Sequence, residues 1–200
     1  MITSQEMRNL EEASGVSRIV LMENAGKWVY RIIKERIGIE QKRILIVCYH
    51  GYNGGDGFVA ARYLSEESEV DVLFIGDENK LKKESLANFK KIEHNGRIQF
   101  LVDEEVNFDD YDIIVDAILG IGIHGRLKHE IVSILDKINE SKAYKVSVDI
   151  PTGVDPDTGN VVENFLNADH IITFHDIKKG LEKFADKTVV IDIGLPNPAV

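Results

Sequence analysis

From residue 43 onward, short apolar runs alternate with amphipathic stretches. The runs at 43–49, 70–75, 98–102, 113–116, 145–149, 170–174 and 188–193 read as strands. Helical patterns lie between most of them, at 58–65, 81–95, 128–139 and 178–184. Several runs are apolar throughout, such as Ile113-Ile114-Val115 and Val189-Val190-Ile191. Such runs suit strands buried on both faces of a parallel sheet. Alternating strands and helices predict a doubly wound α/β fold with right-handed crossovers. Before residue 43 the pattern is helical. Thr3-Ser4-Gln5-Glu6 has the spacing of a capping box, and Ser14-Gly15 breaks the first helix. Val20, Leu21, Ala25, Trp28, Val29, Ile32 and Ile33 mark the apolar face of a second helix over 17–37, with Gly38 as its stop. The expected organisation is one domain over 1–200, a helical segment at 1–40 and an α/β core at 41–200.

Composition then narrows the partners. Hydrophobic residues make up 44% of the 200-residue chain, enough for a substantial core. The formal charge is −10, from 24 basic and 34 acidic residues, which speaks against a nucleic-acid partner. No run approaches the length of a membrane span and the N-terminus has no signal-peptide pattern, so a cytoplasmic location is expected. The single cysteine, Cys48, lies within an apolar run and reads as core.

In a doubly wound sheet, ligands bind beyond the carboxyl ends of the strands. Three strand ends here carry unusual polar sequence. The first is Gly51-Tyr52-Asn53-Gly54-Gly55-Asp56-Gly57, between a strand and a helix expected from Phe58. Glycines let backbone approach a ligand, and a helix N-terminus offers free N–H groups to phosphate. The second is Val115-Asp116-Ala117, followed by a formal G-x-G-x-x-G at Gly120, Gly122 and Gly125 and then Arg126. A dinucleotide fingerprint normally follows the first strand of its unit; this one follows the fourth, so a flexible phosphate- or sugar-contacting loop fits better. The third is Asp149-Ile150-Pro151-Thr152-Gly153, an acid followed by a rigid turn. Asn53, Asp116 and Thr152 supply hard oxygen donors from the three strand ends, a set that suits an alkali or alkaline-earth cation. The histidines show no metal-binding spacing. His50 and His175 follow strands, where a cleft and a core role are both open.

With Met22-Glu23-Asn24-Ala25-Gly26 and the closing Asp192-Ile193-Gly194-Leu195-Pro196, these motifs occur in an order that resembles the YjeF N-terminal domain family. The enzymatic members of that family are NAD(P)H-hydrate epimerases. The resemblance covers essentially the whole chain. It implies a Rossmann-like three-layer α/β/α sandwich with a mostly parallel sheet and a helical N-terminal extension, often dimeric. It implies that Tyr52, Asn53, Gly54, Gly55 and Asp56 hold hydrated NADH or NADPH, together with Gly120, Ile121, Gly122, Ile123, His124, Gly125, Arg126 and Asp149. It also implies a potassium ion on Asn53, Asp116 and Thr152. Two departures stand out. Tyr49-His50-Gly51-Tyr52 occupies the place of the usual Gly-Pro-Gly-Asn, and Thr152 replaces a serine while keeping its hydroxyl. Relatives often carry a second, dehydratase domain; none is expected within 1–200, so a separate NAD(P)H-hydrate dehydratase is the expected functional partner.

The chemistry needs a proton donor and acceptor at C6 of the reduced nicotinamide ring. Asp149 is the first choice and Asp116 the second, because a cation ligand must stay ionised. Two other functions remain open from sequence. One is a non-catalytic module of the same fold; the other, resting on G-x-G-x-x-G alone, is an NAD-dependent oxidoreductase.

Overall fold

The structure is a computed structural model that describes residues 1–122, 125–161 and 163–196. Its first strand, β1 (Arg43–Cys48), shows how three layers arise. Successive residues of a strand point to opposite faces. Ile44, Ile46 and Cys48 enter one core, while Leu45, Val47 and the following Tyr49 enter another. The other strands are β2 (Glu69–Phe74), β3 (Ile98–Leu101), β4 (Ile113–Ala117), β5 (Tyr144–Val148), β6 (His170–Phe174) and β7 (Thr188–Ile191). They form a seven-stranded sheet in the order β3-β2-β1-β4-β5-β6-β7. Every pairing in it is parallel, so the mostly parallel sheet expected from sequence is wholly parallel among the described residues.

Helices cover both faces. The first core is closed by α1 (Ser4–Ala13), α2 (Arg18–Ile32), α3 (Tyr52–Leu64) and α4 (Lys83–Ile92). The second is closed by α5 (His129–Glu140) through Ile131, Ile134, Leu135 and Ile138. The Thr3 capping box forms, with the Thr3 hydroxyl and the Glu6 carboxylate each receiving the other residue's backbone N–H. Strand order grows outward from β1 to β3, then returns to place β4 on the other side of β1. That reversal is the switch point where a doubly wound sheet opens a crevice.

Boundaries differ from the sequence expectation in four places. α3 begins at Tyr52, not near Phe58, so the glycine-rich segment is the first turns of a helix. α2 stops at Ile32 and continues as one π-helical turn to Gly38, whose φ of 80° ends it. α4 spans only Lys83–Ile92 of the expected 81–95. The expected helix at 178–184 is a run of 3-10 turns, Lys179–Lys187, broken at Phe184.

The early start of α3 has a packing cause. Helix propensity disfavours glycine, but tertiary contact overrides it here. A Cβ on Gly54 would lie 1.8 Å from the Tyr49 carbonyl oxygen, and one on Gly57 would lie 2.6 Å from Ala117 Cβ and 2.7 Å from Cys48 Sγ. The helix therefore sits directly on the ends of β1 and β4. Gly54→Ala is expected to destabilise the fold by about 3 kcal/mol or more, since backbone cannot move aside as a side chain can. Gly122→Ala, whose Cβ meets nothing within 4 Å, should leave stability nearly unchanged. Urea unfolding of the two variants checks this.

Candidate active site

The three unusual strand ends lie side by side, at β1, β4 and β5, and frame a cavity of about 600 Å³. α1 and α2 form its outer wall through residues such as Arg8, Glu11 and Arg18. α1 is tied down on both sides of the wall. Arg8 donates to the Ile121 carbonyl at 2.7 Å, and Ser4 donates its N–H and hydroxyl to the Asp157 carboxylate at 2.6 and 2.7 Å.

Asn53 occupies the first turn of α3, buried by the close approach of that helix to the sheet. Neither its Oδ1 nor its Nδ2 has a hydrogen-bond partner. Leaving a buried polar group unpaired costs about 1–3 kcal/mol, so the amide is built to meet something outside the chain. Asp116 lies inside β4 and is fully buried. Its Oδ1 accepts from the Ile118 N–H at 3.1 Å and the Thr152 hydroxyl at 2.7 Å. Its Oδ2 accepts from the Thr152 N–H at 2.9 Å and the Ser147 hydroxyl at 3.4 Å. Asp116 thus pins the loop after β5 to β4. Thr152 Oγ1 also accepts from the Leu119 N–H at 3.0 Å, which leaves one lone pair.

Asp149 follows β5 with φ of 68°, a left-handed conformation that aspartate tolerates better than most residues. Its N–H is held by the Ile172 carbonyl at 2.7 Å. The carboxylate is 2.7 Å from the Lys178 ammonium through Oδ1, and Oδ2 accepts from the Ile121 N–H at 3.2 Å. Gly120 keeps the space beside it open. A Cβ there would lie 2.9 Å from Asp149 Oδ2 and 3.3 Å from Asn53 Oδ1. Asp56, one turn beyond Asn53, also lines the cavity. Burial pushes its carboxyl well above the usual range, and Asp149 and Glu11 push it further. Burial likewise raises the Cys48 thiol well above its ordinary value, in keeping with a core residue and not a nucleophile. Among the described residues no group of three or more His, Cys, Asp or Glu side chains is arranged to hold a metal ion.

With this geometry in place, comparison with known proteins is informative. The family model described as "YjeF-related protein N-terminus" matches residues 18–180. This chain belongs to that family. It is 36% identical to an NAD(P)H-hydrate epimerase of Nitrosopumilus maritimus, over 99% of this chain and 97% of that protein. It is 42% identical to a bifunctional NAD(P)H-hydrate repair enzyme, Nnr, of Methanothermobacter thermautotrophicus, over 94% of this chain but 38% of the relative. The chain thus spans about two fifths of the length of the bifunctional relatives it matches. The crystal structure of yeast ynu0 superposes with a TM-score of 0.84 at 20% identity, covering 96% of this chain and 87% of that one, which agrees in fold.

Tyr52, Asn53, Asp56, Gly120, Ile121, Gly122 and Asp149 all line the cavity. Tyr52 stands at the rim, with the Arg18 guanidinium 4.3 Å above its ring and Glu11 2.8 Å from that guanidinium. Gly54 and Gly55 lie in the first turn of α3, buried against Tyr49, Met22 and Ser85 and not in the cavity wall. Their side of the helix packs; the Asn53 and Asp56 side faces the cavity. Arg126 is also away from it, its side chain 83% exposed and 3.8 Å from Glu163. Ile123 and His124 lie outside the described residues. His50 lines the cavity and His175 does not. Lys178 and Thr173 were missed by sequence reasoning. Thr173 lies in β6 and Lys178 four residues beyond that strand, and no local pattern shows that their side chains meet Asp149.

Asp116 generates a pH dependence. Burial raises its carboxyl from 3.8 to about 6, against the opposing pull of hydrogen bonds from Thr152, Ile118 and Ser147. Between those two values the folded chain binds more protons than the unfolded chain, so this group's contribution to stability falls as pH rises. From pH 4.5 to 7.5 the loss is about 2 kcal/mol. In urea unfolding, wild type should lose about that much more than Asp116→Asn over this range. Any offset from the substitution itself should not vary with pH.

Proposed function

We propose that this chain is an NAD(P)H-hydrate epimerase that interconverts the R and S epimers of NADH and NADPH hydrated at C6. The observation that carries this reading is the placement of Asp149 Oδ2 and the unpaired Asn53 amide at one cavity, on either side of Gly120. Relatives named as NAD(P)H-hydrate epimerases support it over nearly their whole length.

The hydroxyl at C6 of the substrate lies next to the ring nitrogen. The nitrogen lone pair expels it as water, giving an iminium, and water returns on the other face. Asp149 Oδ2 donates a proton to the departing hydroxyl and recovers one from the incoming water. Asn53, Asp56, Tyr52 and the 120–122 backbone hold the nucleotide around that oxygen. The free N–H groups at the start of α3 are suited to its phosphates. A potassium ion fits the donors present. Asn53 Oδ1 is unpaired, Thr152 Oγ1 has one lone pair left, and Asp116 carries the single charge that suits a monovalent ion. All four acceptor positions of Asp116 are engaged by protein donors, so direct ligation by it displaces one of them. Bound there, potassium would supply positive charge to organise the Asn53 side of the site. The reading further includes a homodimer, a cytoplasmic location and a separate dehydratase that consumes one epimer. No described helix is long and apolar enough to cross a membrane.

The test mixes the chain with both epimers of hydrated NADH and a dehydratase that accepts only one. Faster loss of the other epimer than the spontaneous rate is the expected result. Asp149→Asn should lower the enzymatic rate by roughly two to four orders of magnitude, with little change in nucleotide affinity. No acceleration by wild type would reduce the chain to a non-catalytic module of this fold. Asn53→Ala should weaken any dependence on potassium, read as activity and as melting temperature across a potassium series.

A further inference from the structure

Lys178 is a large side chain with no solvent exposure. A buried ammonium is costly unless all its protons are matched. Here they are. Nζ lies 2.7 Å from Asp149 Oδ1 and donates to the Thr173 hydroxyl at 2.9 Å and to the Phe174 carbonyl at 2.8 Å. Three donors meet three acceptors. The Thr173 hydroxyl in turn donates to Asp149 Oδ1 at 3.3 Å. The two carboxylate oxygens of Asp149 are therefore unlike. Oδ1 faces inward to a lysine and a threonine. Oδ2 accepts from a backbone N–H and borders the open space at Gly120.

The backbone that carries Lys178 is clamped on both sides. Ile2 donates its N–H to the Ile177 carbonyl at 2.9 Å and accepts from the Lys179 N–H at 3.1 Å. Two adjacent strands thus fix the acid, β5 through its own backbone and β6 through Lys178 and Thr173. A lysine needed only to fasten the end of β6 would be served by the Phe174 carbonyl; its charge also meets Asp149, which lines the cavity.

We propose that Lys178 and Thr173 are positioning residues for Asp149: by occupying Oδ1 they confine proton exchange with the substrate to Oδ2. This rests on the epimerase reading above. Oδ2–H gives its proton as the C6–O bond breaks and water leaves. The same oxygen takes a proton from the water that forms the new C6–O bond. The isomerisation balances with no further reactant. Asp56 from α3 faces both members of the pair, and Glu11 from α1 and Arg18 from α2 act in turn on Asp56.

The experiment compares Lys178→Gln and Thr173→Val with wild type in the two-epimer assay, across pH, with circular dichroism to confirm folding. Each lost hydrogen bond to a charged group should cost roughly 10- to 100-fold in kcat. KM should stay within about threefold, as expected for a group that acts through the acid and not on the nucleotide. The alkaline limb of the kcat/KM profile should move to higher pH in Lys178→Gln, because without the ammonium the acid keeps its proton to higher pH. Should that variant fail to fold, Thr173→Val decides alone through kcat. Folded variants with wild-type kcat and an unmoved alkaline limb would overturn the proposal, as would a change confined to KM or to melting temperature. Wild type without any acceleration would instead bring down the epimerase reading on which the proposal stands.

Discussion

The site depends on how closely the start of α3 approaches the sheet. At Gly54 and Gly57 there is no room for a single added carbon between the helix and the ends of β1 and β4. That contact lowers the first turn of the helix to the level of the strand ends. Asn53 is buried as a result, and Asp56 comes to line the cavity from the same helix. With a side chain at Gly54 the helix could not sit there, and the amide would be hydrated outside the cavity. Backbone packing thus precedes chemistry: the glycines make the geometry, and their neighbours use it.

Around that contact the chain assembles several charges in a poorly hydrated place, each with a different solution. Asp149 has a lysine as counter-charge. Asp116 has four protein donors and binds the β5 loop to β4 through them. The Asp56 carboxyl is driven toward the protonated form by burial and by Asp149 and Glu11, which outweigh the opposing pull of Arg18 and Lys178. Carboxyls with such unlike surroundings are the arrangement in which acid and base roles separate. Asn53 is neutral, and its buried amide is unpaired.

The helical N-terminal segment is part of the site as well as of the core. α1 forms one wall, and the residues before it brace the segment carrying Lys178. The family match begins at residue 18, so this wall lies outside the matched segment, whereas Lys178 lies within it. The strand order explains how distant parts converge. β1, β4, β5 and β6 are neighbours in the sheet, so residues 53, 116, 149 and 178 meet along one edge.

The amino-acid sequence by itself determined the α/β class, all seven strands to within about two residues, the Thr3 capping box and the three polar strand ends. These follow from local rules: periodicity, cap chemistry and the position of acids after apolar runs. The family was also legible, because it rests on motif order. Tertiary structure decided the rest. Whether residues 54–57 formed a loop or a helix depended on contacts of Gly54 and Gly57 with Tyr49, Cys48 and Ala117, which no local pattern encodes. Lys178 reads only as the start of a short helical pattern until its side chain is seen to turn back to Asp149. Arg126 reads as a phosphate ligand until its side chain is seen to turn outward to Glu163. A residue's type and spacing are local properties, whereas burial and partnership are set by which strands become neighbours.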